Sequence, residues 1–145
     1  MTIDQIQTNL RAVLIAIPAL AAVEAHVLID DCAQEKVMED SLTSEGLSIL
    51  IMPPQCINVR SQGRGAASLD YATTIWVRTN PKIQVANVAK WNPLALEKLI
   101  IPAVLNYGQP PNHFQIPDGL EPETDFSDSG NNSRLIRFYT SVIST

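Results

Sequence analysis

The segment Leu69–Thr79, "LDYATTIWVRT", constrains the fold more than any other part of the sequence. Its residues alternate with a period of two, which predicts a long β-strand. One side of this strand would carry Leu69, Tyr71, Thr73, Ile75 and Val77, and the other Asp70, Ala72, Thr74, Trp76 and Arg78. A β-sheet is therefore a main part of the expected fold.

A first helix is predicted over residues 2–17, where apolar side chains recur at helical spacing. Thr2 and Gln5 fit a capping box at its start, and Pro18 ends the pattern. A second helix is predicted to begin at Asn92-Pro93, with the asparagine as cap and the proline at the first helical position. Pro102 should kink or split this helix, because an interior proline removes one backbone hydrogen bond.

Three further strands are predicted. Residues 22–29 and 134–143 alternate, and residues 47–52 form a short apolar run that ends at Pro53-Pro54. The polar, acidic residues 30–46 have room for one or two helical turns. This order of elements predicts an α+β fold with a mainly antiparallel sheet of about four strands, covered by two main helices.

The chain of 145 residues suits a single domain. We expect a flexible loop at residues 60–68 and an acidic, Pro-rich loop at residues 109–132. Gly63-Arg64-Gly65 in the first loop suggests a phosphate cradle, but a Walker loop needs Gly-Lys followed by Ser or Thr, and a dinucleotide fingerprint opens a helix rather than a strand. This segment is therefore predicted to be a mobile connection between strands.

The formal net charge of −5 leaves no general basic footprint for a nucleic-acid backbone. No run of apolar residues is long enough to cross a bilayer. We therefore expect neither specific nucleic-acid binding nor a membrane partner.

Residues that could support catalysis or metal binding form no recognisable motif. His26 can be combined on paper with Asp30, Asp31 and Cys32, but their spacing matches no recurrent ligand set. The acidic residues 121–128 lack the order of ligands found in an EF-hand. No Gly-x-Ser-x-Gly elbow is present, neither cysteine has a local catalytic signature, and His26 and His113 are the only histidines. We expect no catalytic residue, no cofactor and no metal, and no enzyme activity.

The chain is better suited to protein assembly, because it combines a terminal strand, a polar glycine loop and a long Pro-rich arm. The candidate protein-contact residues are Arg60, Arg64, Trp76, Arg78 and Arg137.

The order of these features resembles that of the tail terminator proteins of long-tailed bacteriophages, and of related prophage minor tail or tail completion proteins. The resemblance covers most of the chain. Its elements are the opening helix "IQTNLRAVLIAIPAL" followed by "AAVEAHVLI", the strand "LSILIMPP" with its polar loop, the strand "ATTIWVRT", the helix "PLALEKLIIPAVL" and a closing strand.

The resemblance implies a small structural subunit that assembles into a six-membered ring. Such a ring caps the tail tube and joins it to the head connector, so the protein would lie in the virion tail, and in the bacterial host cytoplasm during assembly. Two alternatives remain open at this point: a small-molecule or peptide-binding α+β module, and a small hydrolase. The hydrolase would need a deep pocket that joins His26 or His113 to a carboxylate and a nucleophile.

Overall fold

The computed structural model describes residues 1–30, 35–80, 82, 91–109, 112–116, 123–125 and 132–144. The helices are α1 (Ile3–Ile15), α2 (Pro18–Ala21), a short 3-10 helix (Glu24–His26), α3 (Glu35–Ser44) and α4 (Pro93–Leu105). The strands are β1 (Val27–Ile29), β2 (Leu47–Ile51), β3 (Gln55–Gly63), β4 (Ala66–Thr79), β5 (Gly108–Gln109), β6 (Asn112–His113), β7 (Glu123–Asp125) and β8 (Asn132–Ser144). The predicted α+β class is confirmed.

Six strands form one mixed sheet in the order β1-β2-β4-β8-β7, and β3 continues the line of β2 along the same side of β4. Only the β1–β2 pair of this sheet is parallel among the described strands. β4 is central, because β8 pairs with its whole length on the other side. The mainly antiparallel sheet is thus confirmed, but the expected four strands are too few, since β3 and β7 add two more.

One side of the sheet, which we call the core face, carries the main hydrophobic core. Ile75 and Val77 of β4 and Ile136 and Phe138 of β8 are fully buried there. α1 packs over β1 and β2, and α4 packs over β4 and β8. The ion pair between Arg134 Nε and Glu97 Oε2, at 2.6 Å, also holds α4 on this face.

The opposite side, which we call the second face, is covered by α3 where the helix lies over β2. Met38 and Leu42 of α3 are buried, as are Ser48 and Leu50 of β2. The expectation that two main helices cover the sheet is therefore incomplete, because a third helix packs on the other face. The sequence pattern predicted only one or two helical turns in this segment, whereas α3 is ten residues long.

Both long helices begin as the sequence predicts. α1 has the Thr2–Gln5 capping box, and the Asn92 side chain accepts hydrogen bonds from the backbone N–H of Leu94 and Ala95. α4 is not split at Pro102. Pro102 is exposed. The backbone carbonyl that receives no hydrogen bond because proline has no N–H therefore lies on the solvent-exposed side of the helix, where water can bond to it.

The polar side chains of α1 bond to the sheet instead of facing only solvent. Gln7 Nε2 donates to the carbonyl oxygens of Asp30 and Ile51, at 3.2 and 3.0 Å. Arg11 Nε donates to the carbonyl oxygen of Val27 at 3.0 Å. These contacts occupy backbone acceptors in β1, directly after β1 and at the end of β2, and they hold both strands under the helix.

The predicted strand at residues 22–29 is wrong in its first half. Only Val27–Ile29 is a strand, because the chain first continues through α2 and the 3-10 helix. Pro18 does not simply end α1; it occupies the start of α2, where its missing N–H costs nothing.

The predicted flexible loop at residues 60–68 is also wrong. β3 and β4 form a hairpin in which Gly63 pairs with Ala66, so only Arg64 and Gly65 make the turn. Their φ angles of 52° and 80° are those of a type I′ turn, whose twist matches that of the flanking strands. A Cβ atom on Gly65 would meet nothing within 4 Å, so its positive φ is the reason for glycine here.

The predicted acidic loop at residues 109–132 lies partly outside the described residues. Within it, Asn112–His113 pairs with Gly108–Gln109, and Gln115 bridges Tyr139 through two backbone hydrogen bonds of 2.8 Å. Glu123–Asp125 pairs with β8. Parts of this segment therefore belong to sheets, which its composition does not reveal.

Candidate protein-contact surface

The pairing of β4 with β8 gathers aromatic, apolar and cationic side chains on the second face. Trp76 pairs with Leu135, Thr74 with Arg137, and Ala72 with Tyr139, and paired residues of neighbouring strands project to the same side. Arg137 is exposed, and the other large side chains are half-buried. We call the surface formed by Thr74, Trp76, Leu135, Arg137 and Tyr139 the open patch.

Helix α3 lies over β2 and leaves the open patch accessible. The helix contacts of β4 and β8 are made chiefly by α4, which is on the core face. Within the described ranges, the Arg137 guanidinium has no hydrogen-bond or ion-pair partner. The patch thus combines side chains held on two paired strands with the unpaired guanidinium of Arg137.

Arg78 differs from the other candidate contact residues because it belongs to the interior. The residue is 5% exposed, and both of its terminal nitrogens approach Glu39 Oε1, at 3.4 and 3.5 Å. Its guanidinium carbon also lies 4.6 Å from the centre of the Trp76 ring. Arg78 therefore supports Trp76 from the protein side and is not placed to touch a partner.

Arg60 belongs to a polar cluster centred on Asp70. Asp70 accepts hydrogen bonds from Ser141 Oγ at 2.6 Å, from Arg60 at 2.8 Å and from Asn58 at 3.2 Å. The donors come from β8 and β3, so Asp70 ties both neighbours of β4 together. The Ser141 hydroxyl, followed by Arg60 and Asn58, lowers the pKa of the Asp70 carboxyl from its ordinary value.

Arg64 lies at the tip of the β3–β4 hairpin and is exposed. It is the one non-glycine residue with positive φ among those described. A side chain with a Cβ atom is disfavoured in this conformation by about 1 kcal/mol, and asparagine or glycine is the usual choice. The two arginines predicted in a mobile loop are thus held on a structured hairpin.

In the described part of the chain, no group of three or more His, Cys, Asp or Glu residues is placed to hold a metal ion. The ring atoms His26 Nδ1 and His113 Nδ1 are buried and have no hydrogen-bond partner. Neither histidine lines the two grooves described next.

An apolar groove of about 510 Å³ lies between the end of α1 and α4. Its walls include Val13, Ile17, Leu99 and Ala103, and Tyr107 lies at its polar end. A smaller groove of about 260 Å³ continues past Tyr107 toward Gln5 and Asn9. No Asp, Glu, Lys, Arg or His side chain lines either groove, so they offer mainly hydrophobic contact and hydrogen bonds.

Sequence reasoning selected Trp76 and Arg137 but missed Leu135, Tyr139 and Asp70. The alternation of β4 and β8 assigned each residue to a side of its own strand. The register between the two strands, which decides which side chains meet, has no signal in either segment alone.

No protein-family model, curated protein or solved structure matches this chain. None of the described helices is long and apolar enough to span a membrane.

Proposed function

We propose that this chain is a structural virion assembly protein of the tail terminator type. It forms a ring with copies of itself, caps the phage tail tube and joins the tube to the head connector. In this proposal it acts in the virion tail and, during assembly, in the bacterial host cytoplasm. The open patch is the observation that carries the proposal.

The composition of the open patch is that of a protein-binding surface. Tryptophan, tyrosine and arginine contribute most to binding energy at interfaces, especially where they are held in place before binding. Trp76 is fixed by the stacked Arg78, and Arg137 lies beside it on the neighbouring strand. A partner that covers this patch gains apolar contact with Trp76, Leu135 and Tyr139 and places an acidic group against Arg137.

Arg64 gives a second, weaker argument for contact with another protein. Its conformation costs free energy, yet its side chain makes no hydrogen bond or ion pair within the described chain. The turn requires a positive φ at this position but not an arginine, and residues held in unfavourable conformations are common at functional positions. We assign Arg64 to contact with an acidic surface on the tube or on a neighbouring copy.

The test is to measure the mass of the protein by sedimentation, alone and with purified cognate tail tubes, together with the length of the tubes. The proposal expects rings at micromolar concentration or on the tubes, and an end to tube growth. A protein that stays monomeric in the presence of tubes and leaves tube length unchanged would contradict it.

The apolar groove between α1 and α4 favours a second function, that of a small-molecule or peptide-binding module. Its ligand would be mainly apolar with a polar end near Tyr107, because the walls of the groove are mostly apolar and no Asp, Glu, Lys, Arg or His side chain lines it. Saturable binding of a hydrophobic fluorescent probe, abolished by Ala103→Leu, would support this function. Probe binding that is unaffected by Ala103→Leu would exclude this groove as the site.

A further inference from the structure

Helix α4 is apolar on its outer side as well as on the side that faces the sheet. The residues buried against the sheet are Leu96, Ile100 and Val104. Three leucines on the rest of the helix are between 41% and 48% exposed: Leu94, Leu99 and Leu105. A surface helix normally carries polar side chains on its outer side, and a helix that is apolar all round is normally buried. The outer side of α4 therefore has the composition of a surface that another protein covers.

Helix α1 becomes apolar on its outer side halfway along its length. In the first half, the exposed residues include Asp4 and Thr8. From residue 12 to residue 23, through α2, every residue is apolar, and all the alanines among them up to residue 22 are exposed. Because α1 contacts α4, the apolar surfaces of the two helices adjoin. We call the outward surface of residues 12–22 and 93–106 the helix face.

The helix face approaches the size of one side of a stable dimer and carries almost no charge. Eighteen of its residues are exposed or half-buried. One side of a standard interface buries about 800 Å² and contains about 20–30 residues. Lys98 is the only charged residue among the eighteen. Such a face can meet a copy of itself with little repulsion between like charges, whereas a strongly charged partner would find no opposite charges there.

The helix face also contains both parts of a self-complementary contact. Its concave part is the apolar groove of about 510 Å³ between α1 and α4. Leu99 belongs to the wall of this groove and is 45% exposed, so its side chain is available to a second copy. A two-fold axis brings a surface patch against the same patch of a second copy. It therefore pairs the leucine of each copy with the groove of the other.

We propose that the helix faces of two copies pack on each other around a two-fold axis, with Leu99 of each copy in the groove of the other. Because Leu99 also lines its own groove, the two Leu99 side chains then lie side by side. Burial of apolar surface on both copies favours this contact. The open patch is on the opposite side of the sheet and stays accessible, so the contact goes beyond the proposed function and does not depend on it.

The single charge of the helix face can remain in water in this dimer. Successive residues of an α-helix project about 100° apart. On the α4 side, the groove is lined by Leu99, Ala103 and Asn106, which are four and three residues apart and therefore share one flank of the helix. Lys98 lies on another flank, and its long side chain can carry the ammonium group to solvent.

A charge placed at Leu99 tests the contact. Leu99→Glu adds a carboxylate that dimerisation would remove from water, so we expect it to weaken dimerisation at least about tenfold. The matched control is Val37→Glu, the same kind of change at a residue of α3 that is 41% exposed and lies on the other side of the sheet. Sedimentation over about 1–100 μM measures the dissociation constants. The control should dimerise like the native chain.

A mixture of two variants tests whether the contact is reciprocal. Leu99→Glu and Leu99→Lys should each be largely monomeric alone, because like charges would meet at the axis. Mixed in equal amounts, they should form dimers with one copy of each, since opposite charges then lie side by side. A mixture that remains monomeric would overturn the two-fold arrangement. An equal loss of dimerisation in Val37→Glu would overturn the assignment to the helix face.

The native chain distinguishes this occupant of the groove from the other one. A native chain that stays monomeric over the whole concentration range would overturn the proposal, and binding of a hydrophobic probe to that monomer would assign the groove to a small apolar ligand. Rings whose mass is unaffected by Leu99→Glu would overturn the helix-face contact and leave the terminator function standing. Dimers of a chain that leaves tail tubes unchanged would support the contact and contradict that function.

Discussion

The Arg78 guanidinium lies 4.6 Å from the centre of the Trp76 ring, on the same face of β4 and two residues further along the strand. The same guanidinium reaches Glu39 of α3. A cation on an aromatic ring stabilises the pair by about 1–2 kcal/mol where water is largely excluded. Arg78 thus links α3 to the ring that dominates the open patch.

Arg78→Ala should lower the free energy of unfolding by about 1–2 kcal/mol, because it removes the stacked cation and the partner of Glu39. The loss stays below that of a fully buried ion pair, since the Glu39 side chain is 58% exposed and can be rehydrated. Urea denaturation measures the effect. Arg137→Ala is the control, and its free energy of unfolding should stay within about 0.5 kcal/mol of the native value.

Equal stability of Arg78→Ala and Arg137→Ala would contradict the interior role of Arg78. Arg78→Lys adds a further comparison. It keeps the charge but lacks the planar group that stacks on Trp76, so it should restore only part of the lost stability.

Asp70 makes stability depend on pH in the acid range. Its pKa is below the ordinary value of 3.8 in the folded protein, chiefly because the Ser141 hydroxyl bonds to the carboxylate. The folded state therefore binds the proton less readily than the unfolded state. This contribution is present in full above pH 3.8 and is lost as the pH falls through the lowered pKa.

Asp70→Asn mimics the protonated carboxyl and should lack this contribution. The difference in unfolding free energy between the native protein and Asp70→Asn should be constant near neutral pH and shrink as the pH falls below about 4. Denaturation at a series of pH values measures it. A difference that does not change with pH would show that the Asp70 charge does not stabilise the fold.

Two substitutions at the turn residue Arg64 separate the free-energy cost of its conformation from the effect of its charge. Arg64→Asn should raise the free energy of unfolding by about 0.5–1 kcal/mol, because Asn-Gly is the favoured pair for a type I′ turn. Arg64→Glu keeps the unfavourable conformation and should leave stability nearly unchanged, but it should weaken assembly. Chemical denaturation and sedimentation measure the two effects, and normal assembly of Arg64→Glu would exclude a contact role for the charge.

The two long helices and the central strand could be predicted from sequence because each buries one face. The apolar period of α1 and of β4, together with the caps at Thr2 and Asn92, contains that information locally. Pro102 shows the limit of a local rule. Its cost depends on whether the freed carbonyl faces water, which the sequence does not state.

β3 was missed because only Ile57 and Val59 alternate with polar residues in it, and all nine of its residues are exposed, so no buried face marks it as a strand. Its strand conformation comes from pairing with β4 across the Arg64-Gly65 turn. The open patch was only half predicted for a related reason: Trp76 stands out in sequence, but its neighbours Leu135 and Tyr139 are set by register.

The pair between Glu97 of α4 and Arg134 of β8 provides a test of how α4 is attached. The Glu97 side chain is 10% exposed and the Arg134 side chain 22%, so removing one partner leaves the other largely desolvated. Arg134→Met should lower the free energy of unfolding by about 2–3 kcal/mol. The double variant Glu97→Leu, Arg134→Met should recover most of that loss; losses that simply add would show that the two residues do not interact.

The affinity of the protein for the tip of purified cognate tail tubes tests the central claim most directly. Arg137→Glu reverses the free charge of the open patch, while Lys98→Glu makes the same change of charge on the exposed side of α4. We predict that Arg137→Glu weakens tube binding by at least about tenfold, or about 1.4 kcal/mol, while Lys98→Glu binds like the native protein. Native affinity of Arg137→Glu, or an equal loss in both variants, would contradict a role for the open patch.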